Sequence, residues 1–267
     1  MRAAAQSMDD EPVLLEALDD GVLRLTLNRP AARNALSVGL MTALSRALER
    51  AADDKECRVV VIAAAGPAFC AGHDLRELRA DPGRDSYQRV FDQCSALMLQ
   101  ITRLPKPVIA EVHGIATAAG CQLVATCDLA VAAEDARFAT PGVNIGLFCS
   151  TPMVALTRAV GRKAAMEMLL TGDLVDAATA KALGLVNRVV PGAELCAAAT
   201  ALAGQIAGKS AFTLAIGKEA FYAQAELGLA EAYHYAAEVM TRNMLARDAA
   251  EGIDAFLAKR APVWQDS

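Results

Sequence analysis

"PVIAEVHGIATAAGCQLVATCDLAVAA", Pro107 to Ala133, is the stretch on which the fold turns. It opens on an apolar run, Pro107 to Val112, and passes through small residues at Gly114, Ala116, Thr117, Ala118, Ala119 and Gly120. Helical spacing follows, and a second apolar run closes the stretch at Leu129 to Ala133. Buried strand, turn, helix and buried strand make a βαβ unit, whose crossover is right-handed. Small side chains at the turn let another backbone come close. Gln122 is the first sizeable polar side chain after that turn.

The same alternation extends towards the N-terminus. "RVVVIAAA", Arg58 to Ala65, is a β-branched run with no polar alternation, which predicts a strand covered on both faces. Before it, "PVLLEALDDGVLRLTLNRP" reads as two strands joined at Asp19-Asp20-Gly21. Leu23, Leu25 and Leu27 mark its buried face. Ser37 caps a helix whose stripe is Leu40, Met41, Leu44 and Leu48. "SYQRVFDQCSALMLQITRL" is a further helix.

Beyond Thr151 the pattern turns helical, with glycine stops at Gly172 and Gly184 and a short strand in "LVNRVV". Thr151, before Pro152, is expected to cap its helix. A boundary falls near Pro191, dividing residues 12–191 from a helical region at 192–267. Phe221, Tyr222, Tyr233 and Tyr235 fall on that region's helices, to be buried against a second subunit or in a local core.

Bulk properties exclude several classes. The 267 residues carry net charge −5 without a lysine/arginine block, which argues against nucleic-acid binding. No apolar run reaches the roughly 18 residues of a membrane helix. "MRAAAQSMDDEP" reads as neither a secretory nor a mitochondrial signal, so a cytoplasmic location is expected. The seven cysteines form no CxxC pair and read as buried reduced thiols. His73, His113 and His234 lack metal-ligand spacing, so no metal is expected. G-x-G-x-x-G, a Walker loop and G-x-S-x-G are absent, which disfavours dinucleotide, nucleotide and serine-hydrolase chemistry.

Two loops share one form. "FCAGHDL", Phe69 to Leu75, and "GIATAAGCQL", Gly114 to Leu123, each follow a buried strand and lead into a helix. Ligands of open α/β sheets bind beyond the strands' carboxyl ends. Free N–H groups at two helix starts, side by side, have the geometry of an oxyanion hole. Packing alone also accounts for small residues at such turns.

Six stretches in order carry a resemblance: "LNRPAARNALS", "GPAFCAGHDLREL", Lys106 to Leu147, "TRAVGRKAAMEMLLTG", "GLVNRVVP" and "EGIDAFLAKRAPVW". Together they resemble the enoyl-CoA hydratase/isomerase (crotonase) superfamily, from about Pro12 to Trp264. The resemblance implies an α/β fold, a crotonase-like spiral of ββα units with a C-terminal helical trimerisation region. It also implies homotrimers, or hexamers built from them. The substrate would be an acyl-CoA thioester, with coenzyme A as part of the substrate and no permanently bound cofactor.

By position, the backbone N–H groups of His73 and Ala119 would be the oxyanion donors. Ala71 and the stretch His73, Asp74, Leu75 and Arg76 would lie along the acyl-CoA. Arg33 to Ala35 would lie near its nucleotide or pantetheine, and Lys259 near its phosphates. Hydratases of this family use two glutamates, and here Gln122 and Gly142 occupy those places. Neither transfers a proton at neutral pH, so ordinary hydration is not expected. That leaves another acyl-CoA reaction, or a catalytically inactive acyl-CoA binder or regulator. Among the remaining polar groups, His73 is either a proton-transfer group or a packed side chain. Asp74 is expected to cap a helix, Glu77 to face solvent, and Asn144 to bind substrate or shape its turn.

Overall fold

A computed structural model describes residues 11–267. The reading of the N-terminus as free of targeting signals falls on residues 1–10 and so lies outside the described residues. Strands β1 (Leu14–Asp19) and β2 (Val22–Leu27) form the expected hairpin. Asp20 and Gly21 both take positive φ, 44° and 77°, as a tight two-residue turn requires. Helix α1 (Val38–Asp53) follows, capped by Ser37, whose Oγ accepts from the Leu40 N–H.

The chain then repeats one motif. A long strand joins the main sheet, a short strand joins a second sheet, and a helix returns. The long strands are β3 (Val59–Ala64), β4 (Val108–Val112) and β6 (Leu129–Ala133). The short ones are β5 (Ile115–Thr117) and β7 (Arg137–Ala139). The intervening helices are α2 (Leu75–Ala80), α3 (Arg84–Arg103) and α4 (Ala119–Thr126). After β7 come a 3-10 turn (Pro141–Ile145), α5 (Ser150–Ala159), α6 (Arg162–Thr171), β8 (Val175–Asp176), α7 (Ala177–Leu183) and β9 (Arg188–Val190). The main sheet runs β1-β2-β3-β4-β6-β9 and the second runs β5-β7-β8. From β2 to β9 the main sheet is parallel. Cys70 bridges to Ala116, so the loop after β3 takes the short strand's place in its own turn of the spiral.

The uninterrupted apolar run in β3 has a plain cause. Val60 and Ile62 face one core, with α1, α3 and α4; Val59 and Val61 face another. Helix α8 (Leu195–Ala207) closes that second core with Leu195, Ala199, Leu202 and Ala203. The helical region that begins at 192 therefore gives its first helix to the sheet.

Helices α9 (Ala211–Gln224), α10 (Leu229–Met244) and α11 (Arg247–Leu257) stand farther out, and α10 buries no residue. Lys218 anchors α9, donating to the Ile101 and Lys106 carbonyls and to Asp128 Oδ2. Tyr222 donates to Asp128 Oδ1, so its hydroxyl points inward, while Phe221 and Tyr233 lie exposed. Thr151 does not cap α5. The helix starts two residues earlier than that cap would place it, at Ser150, because Met153 N–H already reaches the Cys149 carbonyl. All seven cysteines are free and only Cys196 is exposed.

Candidate functional site

The loop from β3 to α2 is held by residues far away in sequence. Asn34 is fully buried; its Oδ1 accepts from Arg29 N–H, and its Nδ2 donates to the Ala65 and Ala68 carbonyls, each at 2.8 Å. Its φ of 53° lies in the left-handed region that Asn tolerates. Leu36 N–H reaches Gly72 O at 2.7 Å, and Ala71 N–H reaches Arg33 O at 3.0 Å. Arg29 donates to Ala35 O and pairs with Asp74 Oδ2 at 2.9 Å.

Asp74 also caps α2, accepting from the Arg76 and Glu77 N–H groups. Burial pushes its carboxyl up, but the Arg29 hydrogen bond, those two N–H groups and the Arg29 charge together hold it below its ordinary value. Glu77 faces solvent as expected, and its Oε2 also accepts from the Val38 N–H, which ties α2 to the start of α1. Arg33, Ala35, Ala71, His73 and Asp74 thus belong to two segments pinned side by side, with Leu75 and Arg76 exposed at the rim. Lys259, with φ 54° beyond the end of α11, makes no hydrogen bond or ion pair to them among the described residues.

The second loop lies directly against the first. An ideal Cβ on Gly120 would sit 2.1 Å from Cys70 O, so the small residue at 120 makes room for the Cys70 carbonyl. Gly72 has φ +97°, and a Cβ there would lie 2.9 Å from Ala118 Cβ and 3.4 Å from Ala119 N. Ala118, between β5 and α4, takes φ 50° and ψ −118°, a conformation that an L side chain adopts only under strain. Its N–H is used on Ala139 O. Neither the His73 nor the Ala119 N–H has a protein acceptor among the described residues. Ala119 opens α4, so its N–H also sits at the positive end of a helix. Two free N–H groups on abutting loops can receive one developing negative charge.

The two positions expected to lack carboxylates differ from one another. Gln122 is a buried side chain on α4 with its Oε1 4.0 Å from Cys94 Sγ. Gly142 lies inside the 3-10 turn, and a Cβ there would meet Leu147 O at 2.7 Å and Cys149 Sγ at 2.9 Å. The turn has closed over that place.

The His73 ring stands edge-on to Phe91, with centroids 5.4 Å apart. Both of its ring nitrogens are buried with no partner within hydrogen-bond distance, although the Leu36 backbone stands near enough to favour the charged ring slightly; Thr140 Oγ1 is likewise unpartnered. Burial lowers the imidazole pKa below its ordinary value. No cluster of three His, Cys, Asp or Glu that could hold a metal occurs among the described residues. Sequence reading passed over Arg29 and Thr140, and took Asn34 only as part of the Arg33 to Ala35 segment. Arg29 meets its carboxylate 45 positions along the chain, a pairing no local pattern shows.

A profile of the family described as enoyl-CoA hydratase/isomerase matches residues 17–267. The chain is 46% identical over 264 residues to "Enoyl-CoA hydratase domain-containing protein 3, mitochondrial" of Xenopus laevis, covering 99% of this chain and 90% of that one. The Homo sapiens protein of the same name is 47% identical over 263 residues, covering 98% and 87%. A crystal structure of an enoyl-CoA hydratase from Mycobacterium smegmatis matches with TM-score 0.93 and 56% identity, over 95% of this chain and 99% of that one. The human domain-containing protein 3 structure matches with TM-score 0.92 and 47% identity, over 94% and 100%. The fold is thus the crotonase-like α/β spiral with helices at its C-terminal end.

Proposed function

The chain belongs to the enoyl-CoA hydratase/isomerase family, and from that premise we propose that it binds an acyl-CoA thioester and holds the thioester oxygen between the N–H groups of His73 and Ala119. The observation that carries this reading is the pair of unused N–H groups on loops pressed together at Gly72 and Gly120. As a thioester becomes an enolate, negative charge gathers on its oxygen. Fixed donors in a dry site stabilise that charge with no cost of reorganisation, and one such donor is typically worth about 10²–10³ in rate. Coenzyme A enters as part of the substrate. Its nucleotide and pantetheine would run past Arg33 and Ala35, then Ala71 and Asp74 to Arg76, with Lys259 of a neighbouring subunit near the phosphates.

Ordinary hydration of an enoyl-CoA is not part of this reading. Gln122 carries no exchangeable carboxyl proton, and the turn at Gly142 leaves no room for a side chain. That closure also favours a second reading, a catalytically inactive acyl-CoA binder or regulator.

Assembly is part of the same proposal. Leu245, just past α10, and Phe256 and Leu257 on α11 are 84%, 82% and 73% exposed, large apolar side chains of the kind that mark an interaction surface when they cluster. A homotrimer, alone or paired into a hexamer, would cover it, and light scattering would report a multiple of 28.0 kDa. No helix among the described residues is long and apolar enough to cross a membrane. A cytoplasmic location stands against vertebrate relatives named mitochondrial, and cell fractionation decides between the two.

A crystal structure with a bound acyl-CoA tests the central claim. The thioester oxygen is expected within hydrogen-bond reach of both N–H groups. An oxygen bound elsewhere overturns the assignment.

A further inference from the structure

Four side-chain atoms among the described residues are buried without a partner, and three of them belong to two residues of the loops that meet at the candidate site. Two are the ring nitrogens of His73 and one is Thr140 Oγ1. Their placement follows from the loops. His73 adjoins Gly72, which packs on Ala118 and Ala119. Strands β5 and β7 run parallel with Thr117 opposite Ala139, so the next residues, Ala118 and Thr140, stand side by side. By backbone placement, both residues therefore neighbour the Ala118–Ala119 peptide from which the free N–H projects.

A buried polar group without a partner costs free energy, and native proteins keep few of them. Two such residues on the segments that carry or adjoin the free N–H groups point to a place completed by a ligand. The other polar groups nearby are committed. Asp74 is held by Arg29 and the α2 cap, and Glu77 by Val38. Gln122 carries no titratable proton. Burial holds the Cys94 and Cys149 thiols beside Gln122 and Gly142 in their protonated form, which leaves His73 as the side chain there suited both to take and to return a proton.

We propose that the imidazole of His73 takes a proton from the α-carbon of the bound acyl thioester and returns it, while the Thr140 hydroxyl hydrogen-bonds the acyl group. This rests on the acyl-CoA reading above. In the forward step the α C–H bond breaks and its proton passes to the unprotonated ring nitrogen. The electron pair forms the enolate double bond, and the charge moves to the oxygen held by the two N–H groups. Return of the proton to the same carbon restores the thioester, so no oxidant or co-reactant is consumed. Burial favours the neutral imidazole, the form that accepts a proton. The ring rests edge-on to Phe91, so reaching the α-carbon takes a rotation about its side-chain torsions.

The test is exchange of the α-protons of butyryl-CoA in D₂O, read by mass spectrometry alongside butyryl-CoA binding by calorimetry. The wild type is expected to bind and to exchange. His73→Ala keeps its backbone N–H, so binding should change little while exchange falls about 100-fold or more. Added imidazole should restore part of the rate, which a merely structural role would not allow. Thr140→Val, of the same shape, should slow exchange at unchanged stability. His73→Gln serves if the alanine variant folds poorly. Undiminished exchange in both His73 variants overturns the proposal. Binding without exchange in the wild type overturns it and leaves the acyl-CoA reading standing, whereas no binding at all removes both.

Discussion

The carbonyl oxygen of Cys70 occupies the space that a side chain on Gly120 would need, 2.1 Å from an ideal Cβ. The contact joins the two candidate oxyanion loops backbone to backbone. Because the obstacle is a carbonyl already accepting from Thr117 N–H at 2.9 Å, it has nowhere to retreat. Gly120→Ala should destabilise the fold by about 3 kcal/mol or more, at the upper end of overpacking effects. Urea denaturation measures this; a variant as stable as the wild type would show that the loops part easily.

Ala118 predicts the opposite sign. Its φ of 50° with ψ −118° suits glycine. The strain is worth about 1–3 kcal/mol, while glycine's extra freedom in the unfolded chain offsets about 0.5–1 kcal/mol. Ala118→Gly should therefore stabilise by about 1 kcal/mol, seen as a raised Tm. A lowered Tm would mean that the methyl group's packing outweighs the strain.

Putting both glutamates back should not make a hydratase. Gln122→Glu places a carboxylate on α4, but Gly142→Glu drives its Cβ into Leu147 O and Cys149 Sγ. The double variant is expected to leave crotonyl-CoA unhydrated. Rapid hydration by it, or by the wild type, would show that neither glutamate position limits the reaction.

The desolvated His73 ring sets a pH dependence. Its folded pKa is depressed below 6.5, so the unfolded chain binds more protons between the folded value and 6.5. This contribution to stability is complete above about pH 6.5 and declines as pH falls through the window beneath it. His73→Gln removes the titration, so the stability difference between about pH 7.5 and about pH 5.5 should shrink. An unchanged difference, measured by denaturant unfolding at the two values, contradicts burial of the ring.

Lys218 makes a separate prediction about the C-terminal helices. Its ammonium pairs with Asp128 at 2.7 Å, with the two side chains only 8% and 17% exposed. Lys218→Met leaves the Asp128 carboxylate short of its cation and should cost about 3–5 kcal/mol. Adding Asp128→Asn should recover part of that loss in a double-mutant cycle; strict additivity would mean that the pair is uncoupled.

Local rules wrote much of the fold. The Asp20-Gly21 turn, the Ser37 cap, the two-faced strand β3 and the βαβ unit from Pro107 to Ala133 each follow from neighbouring residues, so periodicity and turn chemistry reveal them. The Thr151 cap failed because the Cys149 carbonyl begins the helix first, a shift of two residues that composition does not settle. The candidate site was half legible. Small residues at 116–120 advertise a close approach without saying to what, and the answer, Cys70 O, lies 50 positions away.

The sequence by itself determined the strand–helix rhythm, the family pattern and the absence of carboxylates at 122 and 142. The tertiary structure alone decided that Arg29 and Asn34 pin the His73 loop, that the turn at Gly142 is shut, and that His73 and Thr140 stand buried without partners. The physical reason is range. Periodicity and capping are set within a few residues, whereas burial, unmet hydrogen bonds and backbone contact arise only where distant segments are brought together.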